Sequence, residues 1–303
     1  MSYTHLNPGV RILQHLIRRE ADYDAMSEGD EATAFAPGHV TGLFSVQRAD
    51  DPQRTGSRGA GVTLSSGVTT TVTASDETRV RLNGRDLEIE SVTRVLDALG
   101  ATATVSAETE LPLGAGFGVS GAMALGTALA ANDAFDQGRS VNDLVAVAHV
   151  AEIQAGTGLG DVFAQARGGI PIRVHPGAPP HGTLDGVPDA GRIEYVSYGG
   201  LSTSEVIGGD TDQLSSAGER ALDRLRAEPT LPRFMRLSRE FSREAELLNG
   251  EVAETIDAVA DAGGDAAMAM LGRTVFAVGT GLTDAGYDPE VCRVHPAGAT
   301  LDP

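Results

Sequence analysis

The chain has 303 residues, room for two domains or one large one, and 41% of it is hydrophobic, enough for a core built mainly of Ala, Val, Leu and Ile because aromatics are 4% and Trp is absent. It carries 42 acidic against 23 basic residues, every base an Arg, for a formal net charge of −19. Acid spread along the chain argues against nucleic-acid binding. No apolar run approaches the roughly 20 residues of a membrane span, no N-terminal leader is visible, and the lone Cys292 excludes an internal disulfide framework.

A reducing cytoplasm is therefore the expected home. The acidic surface suits a halophilic protein in concentrated salt, where at about 1 M the screening length falls to roughly 3 Å and self-repulsion matters little. An ordinary acidic protein encoded by a GC-rich genome would share the Arg bias.

Residues 1–31 read as an extension, with Val10, Leu13, Leu16 and Ile17 on one helical face and "SEGDE" as a linker. From Thr33 the pattern turns extended. "TAFA" reads as a short strand broken at Pro37-Gly38, and "HVTGLFSVQ" resumes it. "GAGVTLSSGVTTTVTAS" is rich in Val and Thr, as strands are, and "TRVRLNGRDLEI" alternates around Asn83-Gly84, a hairpin turn. "SVTRVLDALG" has helical spacing and stops at Gly100. "TATVSAETEL" is the next strand.

Helices follow at about 121–135 and at 141–153, the second capped by Ser140. After the glycine-rich "AGTGLGDVFAQARGG" comes a strand, "IPIRV". The Pro/Gly-rich segment 175–191 is the best domain boundary, dividing a part at 32–175 from one at 190–303. Beyond it lie a strand at "RIEYVSYG" and several helices between about 213 and 280. Strands with interleaved helices, then helices with few strands, predict an α+β protein of two parts.

The chemistry concentrates at "LPLGAGFGVSGAMALGTALA", residues 111–130. Glycines at 114, 116, 118 and 121 run into an Ala-rich helix. Such a cluster implies tight turns or a ligand pressed against the main chain, and the helix N-terminus adds free N–H groups and a positive dipole end. Together they make an anion site suited to phosphate. Two folds use that device. Residues 116–121 match G-x-G-x-x-G, the dinucleotide fingerprint, but "NDAFDQGRSVNDL" stands where that fold needs a strand ending in an acid.

The wider pattern, Pro112, Gly114, Gly116, Phe117, Gly118, Val119, Ser120 and Gly121, resembles the ATP-binding motif of the GHMP kinases, the superfamily of galactokinase, homoserine kinase and mevalonate kinase. Phe117, Val119 and Gly121 replace the usual Leu, Ser and Ala of that motif, and Ser120 falls on its second Ser. "GTGLGDVFAQARGG" resembles the superfamily segment whose aspartate acts as base, with Asp161 in that position. Glu152, in "AHVAEIQ", matches a Mg²⁺ ligand, although the spacing to Asp161 is two residues short; a solvated Glu is the alternative. "AFAPGHVTGLFSV" resembles the superfamily's first motif, with His39 where many relatives carry Lys or Arg. Followed by "GSRGAGVTLSSGV", and with "AMAMLGRTVFA" in place of the third motif, it looks most like the archaeal pantoate kinase branch.

The resemblance implies a two-part GHMP-kinase-like fold, with a ribosomal-protein-S5-like N-terminal part and an α/β C-terminal part. It implies transfer of the γ-phosphoryl of ATP to the primary hydroxyl of pantoate for coenzyme A synthesis. Ser120 and Glu152 would hold Mg²⁺, and Asp161 would accept the hydroxyl proton. His39 and Arg58 are expected to face the acceptor, Arg58 because a guanidinium pairs bidentately with carboxylate. His149 is expected to be structural. Another acceptor (mevalonate, homoserine or shikimate) and an NAD(P)-dependent oxidoreductase are the competing readings. The expected partner is a small molecule, neither nucleic acid nor membrane; a homodimer is compatible with the sequence.

Overall fold

The computed structural model describes residues 31–200, 211–248 and 250–302. The helical face expected at Val10, Leu13, Leu16 and Ile17 lies outside the described residues. Two long antiparallel strands, β1 (Glu31–Gln47) and β2 (Gly56–Ala74), form the spine of the first sheet. The break expected at Pro37-Gly38 is a register shift within one continuous β1. A bulge admits a residue that cannot donate to the ladder without ending the strand.

The hairpin of β3 (Arg79–Leu82) and β4 (Arg85–Asp86) turns at Asn83 and Gly84, both at positive φ (50° and 74°) as its sequence requires. Helix α1 (Glu90–Leu99) ends on Gly100 in the left-handed region, and β5 (Ala103–Glu108) pairs with the second half of β2. Then come α2 (Val119–Ala134), α3 (Val141–Ala155) and α4 (Asp161–Arg167). Ser140 caps α3 in a reciprocal capping box with Asp143. Helix α2 is apolar on nearly all sides because it packs on β1, β2, α1 and α3 at once.

Strand β6 (Ile170–His175) pairs with the first half of β2, at Gly59 and Ala60, and β7 (Thr183–Val187) pairs with β6. The segment expected as the domain boundary thus contributes a strand to the first sheet. The second sheet is antiparallel, ordered β11-β8-β10-β9, from β8 (Arg192–Gly200), β9 (Asp265–Ala269), β10 (Gly272–Val278) and β11 (Glu290–Arg293). Helices α5 (Asp212–Ala227), α6 (Leu231–Glu244), α7 (Gly250–Asp261) and the single turn α8 (Gly281–Asp284) fill the rest of this part.

The helical reading of 213–280 therefore fails at its end, where β9 and β10 form a hairpin. Residues 266–269 are all buried, so the strand shows a continuous apolar run with no alternation to betray it. The last strand, β12 (Thr300–Leu301), crosses back to pair with β1.

Candidate active site

The glycine stretch links β5 to α2. Gly114, Gly116 and Gly118 hold φ of 71°, 88° and 62°, a region that only glycine enters freely. The loop is gripped from both sheets. The Thr274 hydroxyl donates to the Ala115 carbonyl at 2.9 Å, and a Cβ on Gly116 would stand 2.7 Å from the Met270 carbonyl. The Phe117 ring packs on Tyr195 at 4.7 Å. From below, the His39 N–H donates to the Phe117 carbonyl and the Gln165 amide to the Gly118 carbonyl, both at 2.9 Å. "AMAMLGRTVFA" is thus the clasp that closes on this loop.

Helix α2 starts at Gly118 with no side-chain cap. Its first N–H groups face the hollow in front of it, an anion site. Ser120 is not a cap: its hydroxyl donates to Glu152 Oε1 and lies 3.2 Å from the Ser91 hydroxyl. Thr157 donates to the same Glu152 oxygen at 2.8 Å. Glu152 is buried, and burial raises its pKa against the opposing hydrogen bonds of Ser120 and Thr157. A Cβ on Gly158 would meet Glu152 Oε2 at 2.6 Å and Asp161 Oδ2 at 3.5 Å, so two carboxylates turn toward one small space. Hard oxygen donors around unneutralised buried charge suit a divalent cation. Among the described residues no three His, Cys, Asp or Glu groups cluster, so further ligands there would have to come with a nucleotide and water.

Asp161 is the first residue of α4 and packs against the start of α2: a Cβ on Gly118 would lie 3.3 Å from its carboxyl carbon. The Asp161 carboxyl thus stands beside the glycine loop, on the side where Gly118 lacks a side chain. Its side chain keeps 23% of its surface open to the cleft. Burial alone would raise its pKa; the hydrogen bond from His39, at 2.6 Å from Nδ1 to Oδ1, with the charge of Arg173, outweighs this and holds it below the usual range.

Arg173, on β6, is 3% exposed, and its Nε and one terminal nitrogen have no hydrogen-bond partner among the described residues. Burial works against its charge, with Asp161 as the counterweight.

One cleft lies between these groups. The glycine loop, with Ser120, Glu152 and Met270 beside it, forms one part of its lining; Asp161, Arg173, Thr41, Phe44, Ser57 and Leu159 form the other. Two expected acceptor residues stand elsewhere. Arg58 bonds Glu219 on α5 and, at 2.8 Å, the Val174 carbonyl, outside the lining. His39 is fully buried behind Asp161. Pro112 lines a different hollow, beside Tyr195. His149 is structural as expected, its Nε2 2.9 Å from the Thr55 carbonyl. Sequence reasoning missed Arg173, whose signal was there to read: a cation within the apolar strand "IPIRV" has to be buried for a purpose.

Comparison with known proteins places this cleft in context. The family model described as "GHMP kinases N terminal domain" matches residues 88–169. A pantoate kinase of Thermococcus kodakarensis is 38% identical over 266 residues, covering 81% of this chain and 86% of that protein. A pantoate kinase of Methanocaldococcus jannaschii is 32% identical over 251 residues, 80% of this chain and 91% of the relative. A solved structure described as a "Phosphotransferase related to CoA biosynthesis pathway" superposes with a TM-score of 0.79 at 29% identity, covering 90% of this chain and 98% of that one.

Proposed function

The chain belongs to the pantoate kinase family of the GHMP kinases, and from that premise we propose that it transfers the γ-phosphoryl group of ATP to the primary hydroxyl of pantoate, giving 4-phosphopantoate for coenzyme A synthesis. The observation that carries the reading is the packing of the Asp161 carboxyl against the uncapped start of α2, with unpaired Arg173 in the same cleft.

Phosphoryl transfer depends on positioning and charge neutralisation more than on covalent chemistry. In this reading the amides of the glycine loop and the N-terminus of α2 hold the nucleotide phosphates. Ser120 and Glu152 hold Mg²⁺, which when bound neutralises phosphate charge. The pantoate hydroxyl attacks the γ-phosphorus, the bond to the β-phosphate oxygen breaks, and ADP leaves with that electron pair. Asp161, ionised at neutral pH by its depressed pKa, orients the hydroxyl and takes its proton. Arg173 receives the acceptor's carboxylate: Arg58 is committed to Glu219, whereas Arg173 has donors to spare and no ion-pair partner among the described residues. A buried unpaired cation is costly alone and attractive to an anion that enters the cleft.

The test is ADP release with Mg²⁺ across pantoate, mevalonate, homoserine and shikimate, with the phosphorylated carbon assigned by NMR. Turnover with pantoate and a phosphate on its primary carbon are expected. Faster turnover with mevalonate or homoserine would overturn the acceptor; retention on a nicotinamide cofactor without ATP turnover would overturn the kinase. The absence of Lys and the net charge of −19 support a salt-adapted enzyme, for which activity should rise from about 0.1 M KCl into the molar range as screening shortens.

A further inference from the structure

We propose that His39 is a positioning residue for this transfer: it donates Nδ1–H to Asp161 Oδ1 and so turns the other carboxylate oxygen to the acceptor hydroxyl. The proposal rests on the assignment of Asp161 as the base. The ring is 0% exposed, so it cannot reach an acceptor. Its Nδ1 lies 2.6 Å from Asp161 Oδ1, the length of a charge-assisted bond. With Oδ1 occupied, Oδ2 is the oxygen that faces the space beside Gly158 and Glu152.

The other ring nitrogen sharpens the point. Nε2 is buried and has no hydrogen-bond partner among the described residues. An ionised Asp161 only accepts, so the proton sits on Nδ1 and Nε2 is left as a bare lone pair. A second proton there would bury an unpartnered N–H in the field of Arg173, which agrees with the lowered His39 pKa, set first by burial and opposed by Asp161. Leaving a polar atom unsatisfied in a core costs stability. Gly61 makes room for the ring, since a Cβ there would collide with it. The backbone N–H of His39 donates to the Phe117 carbonyl. His39 therefore ties the base and the nucleotide loop to one point on β1.

Isosteric variants separate this from a packing role. The Asn side-chain amide reproduces the donor position of Nδ1, and the Gln amide reproduces that of Nε2. We expect His39→Asn to keep kcat within a few-fold. His39→Gln and His39→Ala should each lose roughly 10- to 100-fold in kcat, the worth of a hydrogen bond to a charged group, with KM for ATP and pantoate nearly unchanged. Equal losses in His39→Asn and His39→Gln, losses that follow the melting temperatures, or a His39→Ala enzyme with normal kcat would overturn the proposal. Asp161→Asn is the control: if it turns over normally, the base assignment fails instead.

Discussion

The two ends of the cleft are built from different materials. The phosphate end is mostly backbone: a loop of glycines at positive φ and the first turn of α2, contiguous in the chain. The acceptor end is side chains brought from β1, β2, β6 and α4: half-buried Thr41 and Asp161 with buried Ser57 and Arg173. A backbone cradle must be continuous, because neighbouring amides point at one ligand, and it tolerates changes of side chain such as Phe117 and Val119. A side-chain pocket has no such continuity, and each member is exposed to substitution on its own. In the proposed reaction the first end would serve the phosphate chain of ATP and the second a single acceptor.

Substitutions at the two ends should therefore fail in different ways. The largest effect is expected at the junction. Asp161→Asn should lower kcat by roughly 10²- to 10⁴-fold, with nucleotide affinity nearly intact by fluorescence titration. At the acceptor end, Arg173→Met should raise KM for pantoate by ~100-fold or more and leave KM for ATP alone. The same change should raise the melting temperature of the free protein, because it removes a buried cation with no ion-pair partner among the described residues. A fall in both substrates' affinities would erase the distinction between the ends.

At the phosphate end, Gly118→Ala forces a side chain into the left-handed region, where it would also meet Asp161. About 1–2 kcal/mol of strain predicts a loss of roughly tenfold in ATP affinity, measured by calorimetry. The smallest effect concerns pH. Folding lowers the Asp161 pKa, so the stability that its ionisation contributes is complete above its ordinary value of 3.8 and is lost only as pH falls through the lower folded value. Asp161 should therefore give kcat no acid limb between pH 5 and 8, and a limb that His39→Ala shifts upward would tie the depression to that hydrogen bond.

The glycine loop and Asp161 were legible in the sequence and the rest of the acceptor end was not, because the first are local devices and the second is assembled by the fold. Glycine spacing, the Ser140 cap and the Asn83-Gly84 turn are local devices, and the chain states them within a few residues. Strand β2 and α1, closed by Gly100, were equally plain, whereas β1 was read as two pieces because Pro37-Gly38 looks like a break. Arg58 looked apt because a guanidinium pairs with carboxylate, and His39 because it stands where relatives carry Lys or Arg in the first motif. Only the fold shows that Glu219, 161 residues away, captures Arg58, and that His39 meets Asp161 across 122 positions. Arg173 was missed although a lone cation in the apolar run of β6 marks a buried charge, because a strand buried on both faces does not show which way that charge points. The β9–β10 clasp escaped for the same reason: Ala and Met in an unbroken buried run read as helix.

The most direct measurement is a crystal structure with a non-hydrolysable ATP analogue, Mg²⁺ and pantoate. The account predicts phosphates on the amides of residues 114–121, the pantoate carboxylate on the Arg173 guanidinium, and its primary hydroxyl about 2.6–3.2 Å from an Asp161 oxygen. Phosphates bound away from that loop, or a carboxylate seated on Arg58 with the hydroxyl turned from Asp161, would contradict it.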